Sequence, residues 1–274
     1  MKLTVAVGQL RPRLRAPQEA VDSVDQAAEQ AREAGAELLV VPEAFLSGYA
    51  IGAEAVQQLA EPADGQYVAA MAEVARRHSI GLVYGFAERS ADATIFNSAT
   101  FVSENGERLA TYRKLHLFQS VDAEQFSPGA QRPPVVGWNG WNVGLAICYD
   151  IEFPETARML AQDGADLICA PTANMVGFEQ VSHLLIPARA YESQLYIAYA
   201  NYCGADEQFT YAGTSVIASP TGALLAEGSP DQEQVLTTEL PMDELQQARR
   251  NLTYLADRRP EIYRSAAAPA DKTA

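Results

Sequence analysis

The apolar segments of this chain change period as they proceed, and that alternation dictates sheets covered by helices. Leu3 to Gln9 alternate as a strand, Pro17 to Ala34 repeat as a helix stopped by Gly35, and Glu37 to Val41 form a buried apolar run. Gly65 to His78 read as a second helix and Ile80 to Ala87 as a strand. Asn97 to Ser103 and Glu107 to Arg113 follow as strands joined by the hairpin signal Asn105-Gly106. The second half repeats the rhythm. Pro134 to Trp138 turn at Asn139-Gly140 into Trp141 to Ile147, a helix covers Pro154 to Gln162, and Asp166 to Ala170 are a strand. A helix over Val181 to Ser193 precedes strands at Leu195 to Tyr202, Thr214 to Ser219 and Val235 to Glu239, with Pro220-Thr221-Gly222 as a turn. No Gly/Ser linker or charge block divides the chain. The expectation is one α/β layered domain over residues 1–264, with 265–274 (AAAPADKTA and its neighbour) having the composition of a disordered end. Strand order does not follow from pattern.

Charge narrows the range of partners. The 274 residues carry 20 basic and 35 acidic side chains, a net charge of −15, which repels nucleic acid and acidic membranes. No apolar run approaches the ~20 residues of a membrane span, and MKLTVAVGQLRPR lacks the apolar core of a signal peptide. Cys148, Cys169 and Cys203 are an odd, widely spaced set without CxxC, and His78, His116 and His183 form no HExxH pattern. The expectation is a cytoplasmic protein with no disulfide framework, no metal and no cofactor. Among basic residues only Lys2, Lys114 and Lys272 are lysines, so Lys114 alone lies in the body of the chain. Either arginine is merely favoured, or position 114 requires a compact ammonium that the planar guanidinium cannot replace.

Three segments share a design. In ELLVVPEAFLSGY, TYRKLHLF and VGLAICYDIEFPE, a β-rich run ends in Glu43, Lys114 or Cys148. Strand ends in α/β folds aim side chains into a shared crevice. Together the three offer a base, a cation and a nucleophile. Cys148 precedes a helix expected to begin near Pro154, where backbone N–H groups and the helix dipole can lower a thiol pKa. The plainer reading of a free cysteine is a buried inert one, which suits Cys169 inside DLICAP; Cys203 stays open between the two. Burial behind the VVPE strand would raise the Glu43 pKa and suit it to proton transfer, while a helix-capping loop carboxylate is the alternative.

PEAFLSGY, YRKLHLF and AICYDIEFPE, in this order and spacing, resemble the three catalytic motifs of the nitrilase superfamily of carbon–nitrogen hydrolases. The likeness runs from MKLTVAVGQL to about LTYLADRRPE and includes PTANM, ARAYESQLYIAYANYCG and AGTSVIASPTGALLAEG. It implies a four-layer αββα sandwich in which Glu43 is the general base, Lys114 the oxyanion stabiliser and Cys148 the nucleophile, with the backbone N–H of Tyr149 as a second oxyanion donor. The family often has a further glutamate six residues before a Pro-Gly. Counting back from Pro128 reaches Asp122, an aspartate instead, with Glu124 nearby as the other choice for this accessory acid. The resemblance also implies a homodimer or larger symmetric assembly.

Cys148-Tyr149-Asp150 differs from the Cys-Trp-Glu typical of nitrile-cleaving members and looks like an amidase. FLSGYAIG, CYDIEFPETAR, PTANM and YANYCGA resemble in particular the bacterial 5-aminopentanamidases, so the implied partner is a small aliphatic amide. Tyr49, Tyr149, Asn174 and Met175 sit in motif loops that either line the pocket or simply pack. Asp150 could pair with a substrate amine, but capping the following helix is the favoured role. A nitrilase or N-carbamoyl hydrolase, an acyltransferase using the same thioester, and a non-catalytic binding protein on the same fold are the alternatives.

Overall fold

Alternation along β1 (Lys2–Gln9) divides its side chains between two cores: Leu3, Val5 and Val7 point one way, Ala6 the other. The same split recurs wherever strands are buried on both faces. In the computed structural model, which describes residues 1–263, β1 lies in a six-stranded sheet with β14 (Gln234–Pro241), β2 (Leu38–Val40), β3 (Gly81–Arg89), β4 (Ile95–Val102) and β5 (Arg108–Arg113). Its order is β14-β1-β2-β3-β4-β5, with β1, β2 and β3 parallel and the others antiparallel to their neighbours. The segment 265–274 lies outside the described residues.

A second six-stranded sheet is built from β6 (Val135–Trp138), β7 (Trp141–Leu145), β8 (Leu167–Pro171), β9 (Tyr196–Ala200), β12 (Val216–Ala218) and β13 (Leu224–Glu227), in the order β13-β12-β9-β8-β7-β6. Here β7, β8 and β9 are parallel. β6 and β7 close at Asn139-Gly140, whose φ values of 48° and 78° match a tight hairpin turn. β10 (Cys203–Ala205) and β11 (Thr210–Ala212) pair separately as a two-stranded antiparallel ladder.

The sheets face each other across one apolar layer, with β1 against β9 and β2 and β3 against β8. Val5, Val40, Val83, Trp141, Leu167 and Tyr196 fill this layer, and Cys169 is buried within it. On the outer face of the first sheet lie α1 (Pro17–Glu33) and α3 (Gln66–His78), which touch each other. α5 (Pro154–Gln162) and α6 (Ile186–Ser193) cover the second. The result is the four-layer αββα sandwich. No helix among the described residues is long and apolar enough to cross a membrane.

Differences from the sequence reading have local causes. The helix expected over Val181 to Ser193 opens as a wider turn at Val181–Leu185, and Pro187, which lacks an N–H to donate to the preceding turn, stands where the α-helix takes over. Periodicity misses α2 (Ala53–Leu59), α4 (Gln119–Ala123), α7 (Met242–Asn251) and α8 (Pro260–Tyr263). α2 buries only Val56, and α7 only Leu245 and Ala248, too few anchors to show a period.

Candidate active site

The parallel cores of both sheets run in one direction, so the chain leaves β2, β5 and β7 towards a common crevice, and each exit carries one of the residues singled out. Glu43 follows β2. Its N–H donates to the Thr172 carbonyl at 3.3 Å, joining the end of β2 to the end of β8 across the two sheets. The Tyr202 hydroxyl donates to the Glu43 carbonyl at 2.8 Å. Beside it, Gly85 of β3 is a steric necessity: a Cβ there would lie 2.3 Å from the Ala44 nitrogen and 2.8 Å from the Glu43 carbonyl carbon.

Lys114 follows β5 and has no solvent exposure. Its Nζ donates to Glu43 Oε1 at 2.7 Å and to Asp122 Oδ2 at 2.6 Å. Asp122 sits on α4, and the same Oδ2 accepts the Phe118 N–H at 2.8 Å. Asp122 is therefore the acid that reaches the lysine, whereas Glu124 is exposed. Asn97 of β4 was not anticipated; its Nδ2 donates to Glu43 Oε1 at 2.7 Å and its carbonyl accepts the Lys114 N–H at 2.9 Å. A fully buried asparagine inside IFNSATFV, a strand otherwise apolar or hydroxylic, was the available signal. Glu43 Oε2 has no hydrogen-bond partner among the described residues.

Cys148 opens a tight turn, Cys148–Glu152, that precedes α5 and starts at the predicted Pro154. It holds φ of 45°, a left-handed conformation costing roughly 1–3 kcal/mol in a non-glycine residue. The first bond of the turn runs from the Asp150 N–H to the Ile147 carbonyl at 2.9 Å, so the N–H groups of Cys148 and Tyr149 precede it. Asp150 does not cap α5. Its Oδ1 accepts the His116 N–H and lies 2.7 Å from His116 Nδ1, and its Oδ2 accepts the Tyr112 hydroxyl at 2.8 Å. The residue thereby clasps the loop after β5 to the cysteine turn, which explains why it faces neither substrate nor helix end. His116 also stacks on Phe153 with ring centroids 4.0 Å apart. His78 is engaged by Asp25 and His183 by Glu227.

Electrostatics reverse one expectation and support another. Burial pushes the Cys148 thiol well above its ordinary pKa, and the nearby Glu43 charge adds to it, outweighing Lys114 and hydrogen bonds from Thr172 and Ala173. The dipole of a turn this short does not produce a resting thiolate. Burial also raises Glu43, against the opposing charge of Lys114. For Lys114, burial favours the neutral amine, but Glu43 and Asp122 outweigh it and hold the pKa well above the ordinary lysine value. These directions favour an ammonium at Lys114 and a thiol at Cys148 that needs a base to take its proton. Burial also raises the Cys169 thiol far above its usual range and Cys203 to about 11.

A narrow pocket opens at Cys148, walled by Tyr49, Phe118, Met175 and Phe178 and by the half-buried Glu152. Tyr49 is buried, its ring centre 5.7 Å from Lys114 Nζ. Asn174 also borders the pocket, but its Nδ2 is occupied by the Phe178 carbonyl at 3.0 Å, so it shapes the wall. The Tyr149 ring lies outside the lining, edge-on to Phe118 and Phe153. Phe118, Glu152 and Phe178 escaped the sequence reading; Glu152 is one of three carboxylates in CYDIEFPE, and nothing local sets it apart from Asp150 and Glu155.

A family model for carbon–nitrogen hydrolases matches residues 4–250. The chain is 45% identical over 262 residues to "Hydrolase in pqqF 5'region" of Pseudomonas protegens, covering 95% of this chain and 90% of that protein. It is 41% identical over 224 residues to an (R)-stereoselective amidase of a Pseudomonas species, covering 81% and 80%. Among solved structures it is similar to the amidase of Nesterenkonia sp. AN1, in a variant carrying acrylamide by Michael addition at its active-site cysteine. The TM-score is 0.83 and the identity 34%, over 96% of this chain and 98% of that one.

Proposed function

The chain belongs to the carbon–nitrogen hydrolase family, and we infer that it is an amidase converting a small aliphatic primary amide to carboxylate and ammonia through a thioester on Cys148. The observation that carries this reading is the buried Lys114 side chain held between Glu43 and Asp122, with Cys148 in the wall of the adjoining pocket. Glu43 accepts the thiol proton as the Cys148 sulfur bonds to the amide carbon and the carbonyl electron pair moves to oxygen. The oxyanion is met by the Lys114 ammonium and the Tyr149 N–H, donors of a kind worth ~3–4 kcal/mol each. Collapse breaks the C–N bond, and the proton on Glu43 leaves with ammonia. Glu43 next takes a proton from water as it attacks the thioester; the C–S bond breaks, Glu43 returns that proton to the sulfur, and the product leaves as the carboxylic acid, which ionises in water.

Asp122 touches neither reacting atom in this scheme and acts as a positioning residue for Lys114. The resemblance to 5-aminopentanamidases supports 5-aminopentanamide as the substrate within this class. The three cysteines are free and buried, which suits the reducing cytoplasm. A symmetric homodimer or larger assembly belongs to the same reading, since closed symmetry is the commonest oligomeric form; sedimentation equilibrium returning a monomer would refute that part.

The test is ammonia release across matched amide, nitrile and N-carbamoyl substrates, with mass spectrometry of the trapped acyl-enzyme. Amides should be turned over, with an adduct that survives Cys169→Ala and Cys203→Ala and vanishes in Cys148→Ala. An adduct persisting in Cys148→Ala, or turnover confined to nitriles, would overturn the assignment.

A further inference from the structure

Glu152 is the one acidic side chain of the pocket that the amidase chemistry leaves unused. It ends the turn that begins with Cys148, so the two residues are four positions apart on one segment, their Cα atoms on the order of 8 Å apart at ~2.0 Å of rise per residue. The segment is fixed from behind: Arg189 donates from Nη2 to the Glu152 carbonyl at 2.7 Å and from Nε to the Ile151 carbonyl at 3.3 Å. That guanidinium is also paired with Glu192, Nη1 to Oε1 at 3.1 Å. Lys114, the other nearby cation, is committed to Glu43 and Asp122. Among the described residues no hydrogen bond or ion pair reaches the Glu152 carboxylate itself, although the residue is half-buried and lines the same pocket as Phe118 and Phe178. Burial raises its pKa against the distant pull of Lys114 and Arg189, the condition of a carboxylate that lacks a donor.

A partly desolvated carboxylate facing an aromatic pocket is complementary to an ammonium group, which gains both charge pairing and the faces of the rings. We propose that Glu152 determines specificity by pairing with an ammonium at the far end of the substrate's acyl chain, so that the preferred substrates are short primary amides bearing a distal amine. This rests on the amidase reading above and adds to it the residue that selects the substrate class. Glu152 plays no part in bond cleavage, which fits its place outside the Glu43–Lys114–Asp122 cluster.

The experiment compares kcat/KM for 5-aminopentanamide and for pentanamide, which has the same chain without the charge, in wild type, Glu152→Gln and Glu152→Asp. Wild type should prefer the amine. Glu152→Gln should lose ~100-fold on 5-aminopentanamide while pentanamide changes by less than about 3-fold, and Glu152→Asp, which keeps the charge, should recover part of the preference. Pentanamide turnover reports that each variant is folded. An equal loss on both substrates with no recovery in Glu152→Asp, or no loss on the amine, overturns the role of Glu152 while leaving amide hydrolysis intact. Ammonia release from neither amide by wild type overturns this assignment, and the amidase reading falls with it only if the wider amide panel is inert as well.

Discussion

Asp122 Oδ2 lies 2.6 Å from Lys114 Nζ, as close as the proposed base, Glu43, at 2.7 Å, so two carboxylates share one ammonium with no solvent access. The negative charge of Asp122 raises the pKa of both Glu43 and Lys114. Asp122→Asn removes that charge at nearly constant shape. The signs follow directly: Glu43 should lose its proton at lower pH, and Lys114 should lose its proton at lower pH as well. The acid limb of the kcat/KM–pH profile of Asp122→Asn should therefore shift to lower pH relative to wild type. An unmoved acid limb would show that Asp122 does not act on Glu43.

Lys114→Arg keeps the charge but substitutes a planar fork for a compact ammonium held by two carboxylate oxygens. Loss of one well-aimed oxyanion donor costs ~100-fold or more in rate. Turnover by Lys114→Arg should fall by at least that factor, with far-UV circular dichroism unchanged. Near-wild-type rates in a folded variant would reduce Lys114 to a point charge.

The residues that end strands were legible because a β-rich run terminating in Glu, Lys or Cys is a local pattern. Glu43, Lys114 and Cys148 each complete such a run, and the αββα layers follow from the same runs once the family motifs are set beside them. What was not legible depends on partners far apart in sequence. Asn97 reaches Glu43 across 54 positions and Tyr202 reaches it across 159, and neither has a local signature. Asp150 reads as a cap because it precedes Pro154, yet its donors come from Tyr112 and His116, which no neighbour in sequence announces. The Cys148 thiol was misjudged for the same reason: a helix dipole can be read from order along the chain, whereas burial by both sheets cannot.

Asp150 makes a prediction about stability rather than rate alone. The Tyr112 hydroxyl and the His116 N–H donate to its buried carboxylate, and His116 Nδ1 lies 2.7 Å from Oδ1. Asp150→Asn keeps the shape but removes the charge: its NH2 can turn to the Tyr112 hydroxyl, which then accepts, while a single neutral amide oxygen faces His116. Hydrogen bonds to a charged group contribute ~1.5–3 kcal/mol each. Urea unfolding should show Asp150→Asn less stable by about 1–3 kcal/mol, the difference between charged and neutral hydrogen bonds at these contacts, with Asp150→Ala worse. A midpoint within error of wild type would mean that the clasp contributes nothing.

Gly85 gives the sharpest test of how backbone packing sets the site. An added Cβ would sit 2.3 Å from the Ala44 nitrogen, 2.8 Å from the Glu43 carbonyl carbon and 2.9 Å from its Cα, all of them backbone atoms that no side-chain rotation can clear. The Glu43–Ala44 peptide is constrained on its other sides, by Tyr202 at the Glu43 carbonyl and by a left-handed Ala44 with φ of 46°. Gly85→Ala must therefore displace the peptide that carries Glu43, and with it the carboxylate shared by Lys114 and Asn97. Misplacement of a reacting group by about 1 Å can cost ~100-fold, and overpacking typically costs ~1–3 kcal/mol. Gly137 in β6 is the control, since its nearest obstacle is Asn142 Oδ1 at 3.9 Å. Gly85→Ala should lose roughly 100-fold in kcat/KM on the best amide substrate while still unfolding cooperatively, and Gly137→Ala should keep wild-type turnover. Equal activity in the two variants would show that the position of Glu43 does not depend on the close approach of β3.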